Sequence, residues 1–85
     1  MFLHTTEVRP LPDYKLEVSF NTGERGIIAL KDHLWGEMFE PLKQPEMFAT
    51  AFQDPVMRTV AWRNGADLAP EYLMSLMAKQ LEAQP

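Results

Sequence analysis

From Tyr14 to Phe20 the chain alternates without a break. Tyr14, Leu16, Val18 and Phe20 fall on one side, and Lys15, Glu17 and Ser19 on the other. Successive side chains of a strand point to opposite faces, so a period of two with polar residues on one face specifies a strand covered on one side only. Asn21-Thr22-Gly23-Glu24 follows directly and supplies a tight turn, with Gly23 free to take the left-handed conformation of a bulged hairpin. Arg25 to Leu30 returns as the partner strand, with Ile27, Ile28 and Leu30 apolar. Ahead of this hairpin, Thr5-Thr6-Glu7-Val8-Arg9 is β-prone and runs into Pro10-Leu11-Pro12-Asp13. Prolines deny backbone donors to a ladder, which predicts an edge strand ending in a bend.

The remaining segments are shorter. Lys31-Asp32-His33-Leu34-Trp35 allows one or two helical turns before Gly36, and Leu42 to Phe48 reads as a short helix with Pro45 in its first turn. Strand is expected from about Ala49 to Gln53 and again over Arg58 to Trp62, with a turn at Asp54-Pro55-Val56-Met57. A single short helix over Met47 to Phe52 is the competing assignment. Asn64-Gly65-Ala66-Asp67 is a second strong turn signal, and Pro70 then suits the first position of a C-terminal helix, with Glu71 near its positive end. On that helix Leu73, Leu76, Met77, Gln80 and Leu81 form an apolar stripe with one polar member. Tyr72 and Met74 lie off the stripe, so the helix is expected to be apolar on more than one side. The sum is an α+β fold: a small antiparallel sheet of about five strands, made of an N-terminal and a second hairpin, with a short central helix and a C-terminal helix. No repeat, low-complexity tract or Gly/Ser linker divides residues 1–85, which read as a single domain.

Composition limits what such a domain can do. With 85 residues it must pack its core densely, and 46 % of its residues are apolar, which rules out a fully disordered chain. Cysteine is absent, so neither disulfides nor thiolate chemistry is available, in keeping with a reducing, cytoplasmic setting. A net charge of −4 is a poor basis for gripping a phosphate backbone. Lys15, Arg25 and Lys31 are offset by Glu17 and Glu24, and no basic recognition helix is present. No apolar run reaches the roughly 18 residues of a membrane span, and the start lacks a signal-peptide pattern.

The residues able to carry chemistry are scattered. A metal site needs three or four converging ligands, and the chain offers only His4 and His33 as histidines, with Glu37 four residues after the second. Ser19 and Ser75 lack the strained, glycine-flanked setting of an activated nucleophile, and Glu37 with Glu40 reads as a solvated acidic face. Gly23 and Gly26 are isolated rather than part of a phosphate-binding loop. No catalytic, cofactor-binding or metal-binding residue is therefore expected.

The most informative stretch runs from Trp62 to Leu73. Read mechanically, Trp62 ends a strand in the core, Asn64-Gly65 makes a turn, Asp67 accepts backbone donors there or before the helix, and Pro70 starts the helix. Read functionally, Trp62, Arg63, Asn64 and Asp67 form a polar binding lip for a peptide or small ligand. This motif, Trp62-x-Asn64-Gly65-Ala66-Asp67-Leu68-x-Pro70-Glu71-x-Leu73, resembles the bacterial family called domain of unknown function 2442, as do the hairpin Tyr14 to Glu24, Glu40-Pro41-Leu42 and Phe48. The resemblance implies a small cytoplasmic α+β protein with an antiparallel sheet. Some members are joined to a helix-turn-helix domain, and many are encoded beside another small protein in a layout like a toxin–antitoxin pair. It carries no catalytic residues over. Ala69 stands where a capping Ser, Asp or Thr would suit, which shifts that work onto Asp67.

These readings favour a non-enzymatic protein-binding module, the antitoxin-like or regulatory half of a two-protein system. It would use an exposed strand edge and a helix surface of Tyr72, Met74, Met77 and Leu81, against a protein partner or a second copy in a homodimer. A small-ligand sensor with a pocket near Trp62, Arg63 and Asp67 is the alternative, and a hydrolase or metal enzyme built on His33, Glu37 and Glu40 stands third.

Overall fold

The computed structural model describes residues 2–83. Three strands form an antiparallel sheet in the order β1 (Thr5–Leu11), β2 (Lys15–Phe20), β3 (Arg25–Ala29). Leu16, Val18 and Phe20 of β2 and Ile28 of β3 are buried, as is Leu30 just beyond, so the alternation does set the inner face. Tyr14 is the exception. It precedes β2 in a turn where Asp13 and Tyr14 both have positive φ, and its ring meets Phe48 edge-on at 5.5 Å while its hydroxyl donates to the Lys43 carbonyl.

The chain next makes 3-10 turns at Lys31–His33 and Glu40–Lys43, then the short helix α1 (Pro45–Phe48), with Pro45 in its first turn. The central helical segment is thus broken in two, because Gln44, immediately before Pro45, is extended. β4 (Phe52–Asp54) and β5 (Thr59–Ala61) make a second antiparallel hairpin. Its turn is held by the Asp54 carboxylate, which accepts from the backbone N–H of Val56 (2.8 Å) and Met57 (2.9 Å). The helix α2 (Pro70–Ala83) closes the fold.

Among the described residues five strands are present, but in two sheets of three and two. The junction is at the start of β1, where the Thr5 N–H donates to the Arg58 carbonyl (3.0 Å) and the Gln53 amide donates to the Thr5 carbonyl (2.7 Å). The core lies between the inner face of the larger sheet, the second hairpin and α2, and includes Leu34, Leu42, Phe48, Val60, Trp62, Leu73, Leu76 and Met77. No helix among the described residues is long and apolar enough to cross a membrane.

Candidate functional site

The turn after β5 follows the mechanical reading at Trp62, Asn64 and Gly65. The Trp62 N–H donates to the Ala66 carbonyl (2.9 Å), the Gly65 N–H donates to the Trp62 carbonyl (2.9 Å), and Gly65 has φ +93°, a conformation only glycine takes without strain. Asn64 is used on both sides: its carbonyl accepts from the Ala66 N–H and its amide donates to the Met38 carbonyl. Trp62 is only 2 % exposed, with its indole N–H on the Phe48 carbonyl (3.1 Å) and its ring against Phe39 and Phe48. Of the expected lip of Trp62, Arg63, Asn64 and Asp67, the aromatic member is enclosed and the Asn64 amide is committed to the backbone. Arg63 and Asp67 are exposed. Asp67 meets Ala61 through a backbone bridge, and among the described residues its carboxylate takes no hydrogen bond, so it does not do the capping expected of it. A notch of about 350 Å³ opens elsewhere, between Pro12 and Tyr14 of the β1–β2 turn and Pro45 and Phe48 of α1.

On α2 the expected contact surface divides. Leu73, Leu76 and Met77 are buried, Met74 is half-buried against the core, and Tyr72 and Leu81 are exposed. Met77 is thus a core residue and not a docking one. The reason is Gly26: a Cβ there would lie 2.7 Å from the Met77 sulfur, so the missing side chain on β3 is the space that Met77 occupies. The Tyr72 hydroxyl lies 3.4 Å from Nδ1 of His33.

The polar member of the α2 stripe has a defined partner. The Gln80 amide donates to the Ala29 carbonyl (2.9 Å), and the Ala29 N–H donates to the Gln80 side-chain oxygen (2.9 Å). Antiparallel ladders alternate between residues that bond to the neighbour and residues that face away. The Leu30 N–H donates to Tyr14 and the Phe20 N–H to Glu24, so in β3 the even-numbered residues face β2. Arg25, Ile27 and Ala29 then present their backbone groups to the outer edge. Gln80 closes that edge at Ala29, and Ile27 lies beside it with a side chain 54 % exposed.

The opposite edge of the sheet is closed by other means. β1 carries a register shift between Thr5 and Glu7, is tied to the second hairpin at Thr5, and has Pro10, which lacks an N–H. Bulges and prolines are the usual ways of blunting an edge strand. On the outer face Glu17 stands between Arg9 and Arg25 and pairs with both. Among the described residues no group of three or more His, Cys, Asp or Glu is placed to hold a metal ion. His33 ends a 3-10 turn and Glu37 lies beyond Gly36, whose φ is +96°, so the two do not share a helical face; Glu40 pairs with Lys43.

Comparison with known proteins agrees with this fold. The profile of the family described as "Protein of unknown function (DUF2442)" matches residues 5–77. Among solved structures, a crystal structure of a Nitrosomonas europaea protein designated "Putative DNA Binding Protein" matches with TM-score 0.83 and 23 % identity over 96 % of this chain and 53 % of that one. At that identity the likeness is one of fold, and this chain spans about half the length of that protein. No curated protein matches.

Proposed function

The chain belongs to the DUF2442 family of proteins of unknown function, and we propose that it acts as a non-enzymatic protein-binding module, the regulatory, antitoxin-like half of a small two-protein system. The observation that carries this reading is the β3 edge. The backbone groups of Arg25 and Ile27 face outward there, and the large apolar side chain of Ile27 stands half in solvent. An extended segment added to such an edge gains main-chain hydrogen bonds for affinity and side-chain contacts for specificity. Tyr72 and Leu81 of α2 and Trp35, which is 72 % exposed, offer further apolar contact.

A nucleic-acid reading, which the designation of the Nitrosomonas europaea protein raises, has less support in this chain. The net charge is −4, and the arginines of the outer sheet face are both paired with Glu17.

The test is affinity capture from the source bacterium with wild-type and Ile27→Lys bait, read by mass spectrometry, alongside titration of labelled duplex DNA. The expected result is a protein recovered by wild type and lost with Ile27→Lys, at unchanged thermal midpoint. Equal recovery by both baits, or DNA binding without any protein partner, refutes the proposal.

A further inference from the structure

We propose that Gln80 is a removable stop on the β3 edge, and that the edge it closes is complementary to the same edge of a second copy of this chain. The proposal rests on the reading of β3 as the binding edge.

In a close antiparallel pair, two facing residues exchange both of their backbone hydrogen bonds. The carboxamide of Gln80, using one of its N–H groups and its C=O in one plane, does the same for Ala29, with both bonds at 2.9 Å. It therefore occupies the place of a residue on an adjoining strand. Its contacts with the edge are made by an uncharged side chain near the end of a helix, so they can be given up without opening the core that Leu73, Leu76 and Met77 fill.

A second copy fits this edge by symmetry. Turning β3 about a two-fold axis that lies beside its outer edge, level with Ile27 and perpendicular to the sheet, sets Ile27 against Ile27 of the other copy, and Arg25 against Ala29 in both directions. Because the outward residues are spaced by two, all three pairs are of the type that exchanges hydrogen bonds. The facing side chains are compatible: an exposed isoleucine meets its twin, and each arginine passes over an alanine, so like charges are never opposite. With Gln80 on Ala29 only the central Ile27 pair can form; with Gln80 released, the two Arg25–Ala29 pairs join it. The amide thus decides whether the strand addition stops at one residue pair or runs to three. The β1 edge offers no such option, since the N–H missing from Pro10 cannot be restored by any side-chain movement.

The experiment compares full-length wild type, Gln80→Ala, Gln80→Met and Gln80→Ala/Ile27→Lys by sedimentation equilibrium from micromolar to millimolar concentration. Amide hydrogen exchange is followed at Ile27 and Ala29. Methionine keeps the helix-forming stem without the amide, so it replaces the alanine variant should that one not fold. The expected result is self-association at least tenfold tighter than wild type in either Gln80 variant. The Ile27 amide should become protected as the dimer forms, and Ile27→Lys should restore the monomer. A folded Gln80 variant that associates no more than wild type overturns the proposal, as does association that survives Ile27→Lys. Failure of both Gln80 variants to fold overturns it too, because the stop would then not be removable. Loss of partner capture with Ile27→Lys alongside a silent Gln80 variant would leave β3 as the binding edge and remove only this inference.

Discussion

Replacing Gly26 with alanine tests the packing that positions α2. The added Cβ would lie 2.7 Å from the sulfur and 3.3 Å from Cγ of Met77. Apolar heavy atoms prefer separations of about 3.5–4.0 Å, so something must move by roughly 1 Å. Gly26 does not have positive φ, so the backbone accepts alanine, and the smaller conformational freedom of the unfolded chain returns about 0.4–1 kcal/mol. Against this stands overpacking, about 1–3 kcal/mol where neighbours are held by a full core. Met77 is 5 % exposed among Leu73 and Leu76 and has little room to retreat. The expected net effect is a destabilisation of about 1–2 kcal/mol, seen in urea as a lower midpoint at unchanged slope. The partner variant Met77→Ala should cost about 2–5 kcal/mol by leaving a cavity. The new methyl of Gly26→Ala would fill part of that hole, so the double variant should be about 1 kcal/mol more stable than the sum of the singles. Additive behaviour, or a Gly26→Ala protein as stable as wild type, would refute the claim that Gly26 is the socket for Met77.

Two further outcomes follow from the same packing. Trp62→Phe removes the indole N–H and leaves the Phe48 carbonyl without that partner inside the core, with an expected loss of about 2–4 kcal/mol in urea unfolding, whereas Arg63→Ala beside it should stay within about 0.5 kcal/mol. Met74→Glu places a carboxylate at a half-buried position packed against the core, and is expected to lower the thermal midpoint by several degrees, in line with a cost of about 1 kcal/mol or more; an unchanged midpoint with weaker association would make Met74 a docking residue after all.

The parts of this fold legible in the sequence are those where a short-range rule decides the outcome. The alternation from Leu16 to Phe20 needs only one covered face, and Asp54-Pro55 needs only its own turn, with Asp54 reaching the next backbone N–H groups. What could not be read depends on a partner distant in sequence. The helical period puts Met77 and Leu81 on one stripe, yet Met77 is buried and Leu81 exposed; the space over Gly26, on another element, makes that choice. Gln80 reads as an imperfection in a stripe until Ala29 is placed beside it. The joining of the second hairpin to the larger sheet likewise hangs on Thr5 meeting Arg58 and Gln53, a contact between the two ends of the sheet-forming sequence. Trp62 shows the converse: its mechanical role follows from local turn chemistry, and its indole N–H is bound to the Phe48 carbonyl inside the core.

The two edges of the larger sheet differ in a way that bears on function. Any exposed strand edge invites pairing with another chain, and a protein that must stay monomeric has to block both. Proline blocks permanently, since the missing donor is covalent, and β1 carries Pro10 together with a register shift and a tie to the second hairpin. On β3 the block is a side-chain amide making two ordinary hydrogen bonds, each of which contributes only about 0.5–1.5 kcal/mol net and is exchangeable with water or with another backbone. If β3 had to be sealed for good, a proline at an outward position would serve, as on β1; the one charge that β3 carries outward, Arg25, is paired with Glu17. Instead the outward positions nearest Gln80 are Ile27 and Ala29, which lack both charge and ring, and the sheet is left with one edge that a competing strand can open.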